Sequence, residues 1–258
     1  MASKRIENYD KVLPIVELYR CVQSEGSRFG RPTIAVRTTG CTHRCWFGEG
    51  GWCDSWYTSI HPDKGTFTFN DIINIYNENP HVKEMMLTGG SPSMHFNLVN
   101  EITHFAKERE ILITIETEGS HFLETDHPID LVSLSPKFSN SVPKVGITTP
   151  GGKIVDEKFV IKHNKFRLHY ENIRKTLDYH KDYHYKPVWD GTEEGLAEIE
   201  EFRVKMEIPK NKTYVMPAGD TRETLIEMYP KVFELCAEHG YNMTGRDHII
   251  AFNTERGV

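Results

Sequence analysis

The sequence predicts an α/β protein with a mostly parallel sheet, and two observations carry that expectation. Short apolar, β-branched runs of strand length recur along the 258 residues, and segments with apolar residues at helical spacing separate several of them. Strands alternating with helices imply βα units, whose chemistry collects at the carboxyl ends of the strands. There is no repeat, low-complexity tract or evident linker, so a single domain over residues 1–258 is expected.

Taken in order, TIAVRTTG (33–40) reads as the first strand. FNDIINIYNEN (69–79) follows a Thr68 or Asn70 cap signal and reads as a helix. EMMLTGG (84–90) is a strand, FNLVNEITHFAKERE (96–110) a helix, and ILITIETEG (111–119) and IDLVSLSPK (129–137) are strands. Residues 138–156 are rich in turn formers and open a loop excursion that extends to about residue 184. Within it EKFVIK (157–162) has the look of a strand, and His163, His169, His180 and His184 lie among Lys, Tyr and Asn, which reads as solvated surface. YKPVW (185–189) and TYVMPAG (213–219) are strands, GLAEIEEFRVKM (195–206) and RETLIEMYPKVFELCAEHG (222–240) helices, the latter ending at a plausible C′ glycine. RDHIIAFNTERGV (246–258) reads as a last strand and a short extension.

Hydrophobic residues make up 38% and charged residues 26%, enough for a buried core and a solvated surface. A formal charge of −6 gives no global basic footprint for nucleic acid and favours a small-molecule partner. No apolar run approaches bilayer length, and the opening MASKRIENYDKV lacks the apolar core of a signal peptide. A cytoplasmic protein without membrane association is expected. In that reducing compartment clustered cysteines are metal ligands or redox groups sooner than disulfides.

Three of the five cysteines fall within GCTHRCWFGEGGWCDSW (40–56), with the spacing C-x3-C-x7-C over Cys41, Cys45 and Cys53. A structural zinc site closes with four ligands, so His43, His61 or a remote residue such as Cys21 would have to complete it. Three thiolates also suit a [4Fe–4S] cluster with one iron open to a ligand that is not protein. Buried, unliganded cysteines are the third reading, and spacing alone leaves all three open.

Around this loop stand VQSEG (22–26), AVRTTGC (35–41), CDS (53–55), LTGGSP (87–92), IETEG (115–119), LSPK (134–137) and VMPAGD (215–220), in order and mostly at strand ends. The series resembles the radical S-adenosylmethionine enzymes, and within them the 7-carboxy-7-deazaguanine synthase family, over roughly residues 15 to 220. That family shows Q-G-E-G, F-x-R-x-x-G-C, cluster cysteines running into C-D-T, then T-G-G-E-P, E-T-N-G and S-P-K.

The resemblance implies a partial (β/α) barrel of the radical S-adenosylmethionine type with mostly parallel strands. It also implies a [4Fe–4S] cluster on Cys41, Cys45 and Cys53, with S-adenosylmethionine on the fourth iron as the source of a 5′-deoxyadenosyl radical. Trp52 takes the place of an aromatic beside the adenine. Gly89 and Gly90 meet the methionyl amino end, and Thr88 faces the substrate. Glu116 bonds ribose hydroxyls or substrate amines, Ser135 and Lys137 match the cofactor-contacting S-P-K, and Met216 and Pro217 match a late Q-P stretch near the adenine. Gln23 and Glu25 read the amide and amine edge of a pterin, Arg37 takes its carboxylate, and Ser55 offers the hydroxyl through which the family places Mg²⁺. Ser91 stands where the family has glutamate, and Glu118 where it has asparagine. The implied reaction converts 6-carboxy-5,6,7,8-tetrahydropterin to 7-carboxy-7-deazaguanine, with flavodoxin or ferredoxin as electron donor and a homodimer as the assembly to look for. A glycyl-radical enzyme activase and a zinc-stabilised binding module without catalysis are the alternative readings.

Overall fold

The computed structural model describes residues 5–48 and 51–258. Residues 1–4 of the opening stretch, and Glu49 and Gly50 in the gap between Cys45 and Cys53, lie outside the described residues. The chain begins with β1 (Ile15–Val22), which pairs antiparallel with β2 (Pro32–Thr38). From β2 the sheet runs parallel through β3 (Glu84–Gly89), β4 (Leu112–Thr117), β5 (Leu131–Leu134) and β6 (Tyr183–Tyr185), each strand beside its predecessor in sequence. A second parallel sheet joins β7 (Val188–Trp189), β8 (Tyr214–Pro217) and β9 (Asn242–Met243). A single bridge between Tyr185 and Thr213 links the two sheets.

The inner strands are apolar on both faces because helices cover them. Ile34, Val36, Met85, Leu87, Ile113, Ile115, Val132 and Leu134 are all at most 2% exposed and belong to one core cluster. The intervening helices are α1 (Trp56–Ser59), α2 (Phe69–Glu78), α3 (Phe96–Glu108), α4 (Glu157–Arg167), α5 (Tyr170–Tyr179), α6 (Glu193–Lys205), α7 (Arg222–His239) and α8 (Asp247–Phe252). Helix α2 starts at a capping box in which Thr68 accepts from the Asp71 amide at 3.2 Å and Asp71 accepts from the Thr68 amide at 2.7 Å. Helix α7 stops at Gly240, whose φ of 72° is the left-handed conformation of a C′ glycine. Among the described residues no helix is long and apolar enough to cross a membrane.

Four expectations are corrected. YKPVW is not one strand: Tyr185 closes β6 in the first sheet and Val188–Trp189 form β7 in the second, with Lys186 and Pro187 between them. EKFVIK lies in α4, not in a strand: Asp156 caps it, accepting from the Phe159 amide at 2.8 Å, and Ile161 points to solvent at 65% exposure. The final segment holds a helix over Asp247–Phe252 and no strand. Ile249 packs inward from α8, and the last strand, β9, lies just upstream of it. The histidine-rich segment is not solvated surface, because His163, His180 and His184 are buried and bonded. His180 Nδ1 accepts from the Ile129 amide at 3.1 Å, and His184 contacts the Ser133 and Ser27 hydroxyls at 2.7 and 2.9 Å. Burial pushes His184 down to about 3, which keeps its ring neutral.

Candidate functional site

The carboxyl ends of β2, β3, β4, β5, β6 and β8 point to one end of the fold, where a cavity of about 510 Å³ opens. At the end of β2 the chain turns through Gly40 (φ 92°) into the cysteine loop. The described residues on the two sides of the gap between Cys45 and Cys53 pair with each other. The Cys53 amide donates to the Cys45 carbonyl at 3.1 Å, Trp46 and Trp52 bridge antiparallel, and the Phe47 amide reaches the Gly51 carbonyl at 2.8 Å. These contacts set Cys53 beside Cys45 despite the long second gap. From outside, His163 Nδ1 accepts from the Arg44 amide at 3.0 Å and braces the loop.

All three thiols border the cavity and none is in a disulfide. Burial raises each thiol, and the neighbouring acidic groups and thiols raise it further. Cys53 is pushed up to about 12, and Cys41 and Cys45 are raised as well. Such a trio stays protonated until something positive neutralises it. Among the described residues no group of three or more His, Cys, Asp and Glu side chains is gathered to hold a metal ion. What the thiols share is one cavity wall, and each opposes ionisation of the others.

The glycine pair after β3 docks against this loop. The Gly90 amide donates to the Thr38 carbonyl at 3.0 Å and the Ser91 amide to the Gly40 carbonyl at 2.8 Å. A Cβ at Gly89 or Gly90 would overlap the carbonyl oxygens of Thr38 or Gly40. The Thr88 side chain borders the cavity beside them.

Deeper in the wall lies a network of buried charges. Lys186, 2% exposed, donates to Glu25 at 2.5 Å and to Glu116 at 2.7 Å. Arg246 stands 3.4 Å from Glu25 and also bonds Asp54 and the Gly219 carbonyl. Burial would raise the Glu25 carboxyl, but Lys186 and Arg246 outweigh it and hold it at about 2. Arg37 is engaged within the chain: its Nε donates to Glu17 at 2.5 Å, Nη2 to the Tyr19 hydroxyl at 3.2 Å and Nη1 to Ser55 Oγ at 3.3 Å. Lys137 donates to Ser135 Oγ at 3.1 Å. Trp52 donates to the Thr148 carbonyl at 3.0 Å.

Gln23, Glu25, Arg37, Ser55, Trp52, Thr88, Gly89, Gly90, Glu116, Ser135, Lys137 and Met216 thus join the three cysteines around one cavity. Pro217 does not border it. The strand alternates, so Met216 and Ala218 face inward while Pro217 pairs with Trp189. Sequence reasoning missed Lys186, Arg246, Asp54 and His248, which border the cavity. Lys186 was findable, because it follows β6 as Lys137 follows β5. Arg246 carries no local signal.

No protein-family profile matches the chain. It is 33% identical over 248 residues to the 7-carboxy-7-deazaguanine synthase of Halobacterium salinarum, covering 93% of this chain and 91% of that protein. The enzyme of the same name from Rhodopirellula baltica is 31% identical over 247 residues, covering 95% of this chain and 89% of its own. The crystal structure of QueE from Escherichia coli shares the fold, with a TM-score of 0.61 at 17% identity over 90% of this chain and 92% of that one. On identity that runs through most of both chains, this protein belongs to the 7-carboxy-7-deazaguanine synthase family of radical S-adenosylmethionine enzymes.

Proposed function

We propose that the chain converts 6-carboxy-5,6,7,8-tetrahydropterin to 7-carboxy-7-deazaguanine and ammonia, acting as one domain with the architecture of a partial (β/α) barrel. The product and one ammonia account for every atom of the substrate, so no net oxidant is required. The observation that carries the reading is the convergence of three free thiols and the strand-end polar residues on one cavity of about 510 Å³.

Cys41, Cys45 and Cys53 would hold a [4Fe–4S] cluster. Soft thiols whose ionisation is opposed by burial and by one another suit a cationic iron–sulfur core, which would favour their thiolate forms. When bound, cluster and S-adenosylmethionine supply reductive cleavage of the sulfonium and hence hydrogen abstraction from the pterin. The chain's own residues bind and orient. Gly89 and Gly90 leave backbone open toward the methionyl end, while Trp52 and Met216 offer apolar walls to the adenine. Glu116, Ser135 and Lys137 offer polar groups beside them.

Glu25, kept ionised by Lys186 and Arg246, accepts from the amine edge of the pterin, and Gln23 supplies the complementary amide. Arg37 is restrained by Glu17, so it meets the substrate carboxylate with its Nη groups. Ser55 Oγ already accepts from Arg37, so it would hold magnesium only together with substrate oxygens or water. A flavodoxin or ferredoxin would deliver the electron, and the partner is a small pterin, without nucleic acid or membrane.

Anaerobic reconstitution with iron and sulfide, followed by measurement of S-adenosylmethionine cleavage with and without the pterin, tests this. Pterin-dependent cleavage is expected. Cleavage that instead requires a large partner protein would establish an activase, and a colourless zinc protein a binding module.

A further inference from the structure

The family's carboxylate after the glycine pair is missing here, since Ser91 occupies its place, while a carboxylate stands at Glu118 where the family has asparagine. The two departures touch. Ser91, wholly buried at the end of β3, donates its hydroxyl to both Glu118 oxygens, at 2.7 and 3.0 Å. Glu118 follows β4, is 6% exposed, and borders the same cavity as Cys41, Gly89 and Gly90.

Its other donors are the hydroxyls of Ser120 and of Thr42, the latter at 3.4 Å, and its own backbone amide. Among the described residues its only neighbour at ion-pair range is His43 Nδ1, at 3.8 Å, and no lysine or arginine bonds to it. Hydroxyls solvate an anion but do not neutralise it. No lysine or arginine compensates this buried carboxylate, and a primary ammonium entering the cavity beside the glycine pair would do so.

We infer that Glu118 is the carboxylate that binds the α-ammonium of S-adenosylmethionine in this chain, with Ser91 as the hydroxyl that orients it. The acidic function has moved from the end of β3 to the end of β4 and serves the same point in the cavity. The inference rests on the cofactor reading under Proposed function. It also turns two separate departures from the family pattern into one exchange.

The test uses anaerobically reconstituted full-length protein and reads two things besides turnover. These are the equilibrium affinity for S-adenosylmethionine and the change that this ligand produces in the electron paramagnetic resonance signal of the reduced cluster. Wild-type protein is measured first, and a wild type that takes up no iron or shows no ligand-induced change refutes the cofactor reading itself. Given a responsive wild type, E118Q with unchanged iron content should bind at least about tenfold more weakly, as expected for loss of a charge-assisted hydrogen bond. The exchanged pair S91E/E118S conserves side-chain volume and should return within about threefold of wild type.

Wild-type affinity in E118Q overturns the inference. So does an exchanged pair that binds no better than E118Q, because Glu118 would then be structural. Should E118Q fail to load iron, the exchanged pair alone decides: near-wild-type affinity supports the inference, and its loss overturns it.

Discussion

Replacing Lys186 with methionine keeps the length and apolar stem of the side chain and removes only its ammonium. That ammonium is buried and holds Glu25 at 2.5 Å and Glu116 at 2.7 Å. Breaking a buried ion pair by removing one partner costs about 3–5 kcal/mol, because a charge is left without compensation. The net shift at Glu25 bounds the electrostatic share, since Lys186, Arg246 and His248 produce it together. Burial raises the Glu25 carboxyl, yet these three bring it from 4.5 down to about 2. At about 1.4 kcal/mol per pH unit, that is a contribution of about 3 kcal/mol. Arg246 remains 3.4 Å from Glu25 in the variant and limits the loss there, while Glu116 keeps the Ser133 hydroxyl at 2.8 Å.

The expected cost of K186M is therefore about 3 kcal/mol at pH 7, a fall in Tm of about 6–12 °C for a chain of this size. The sign with pH follows from the depressed carboxyl. Its contribution is complete above pH 4.5 and drains away as pH falls toward 2. Wild type should lose most of it between pH 5.5 and 3, and K186M should lose less over that window. Urea unfolding followed by circular dichroism, on cluster-free protein in both cases because acid hydrolyses iron–sulfur clusters, measures both effects. A variant within about 1 kcal/mol of wild type at pH 7, or one with the same acid slope, would refute the reasoning.

Three further outcomes are expected. T68A removes one half of the capping box that starts α2 and should cost about 1 kcal/mol in urea unfolding, with no change in iron content. G90A forces a Cβ against the Gly40 carbonyl and should cost about 1–3 kcal/mol while lowering the iron loaded per chain, since the cysteine loop must shift to admit it. C53S should lower iron and sulfide content sharply while leaving the unfolding midpoint of the cluster-free chain near that of wild type, because Cys53 sits in a loop and takes no part in the core cluster.

Strands β2 to β5 and β8 were legible because each is a short apolar run closed by Gly, Ser or Pro, and those endings carry the cavity residues. Strand β1 was not. It is an edge strand with half-exposed side chains, and Ile15 is its one buried residue. Helix α4 misled because Phe-Val-Ile has high β propensity, while Asp156 and the surrounding charges decide for a helix. The pairing of Trp46 with Trp52 inside the cysteine loop was hidden because it is a single bridge that depends on the fold around it.

The network on Lys186 was beyond any local pattern. Its partners lie 161 and 70 residues away in sequence, and Arg246 meets Glu25 across 221. Residue types at strand ends could be listed from the sequence, whereas which cation neutralises which carboxylate is a property of the folded sheet.

Product identity tests the central claim most directly. Reconstituted protein given S-adenosylmethionine, a low-potential reductant, magnesium and 6-carboxy-5,6,7,8-tetrahydropterin should yield 7-carboxy-7-deazaguanine by mass spectrometry, with ammonia released in equal amount. A cluster-loaded protein that cleaves S-adenosylmethionine under these conditions yet leaves the pterin unchanged would contradict it.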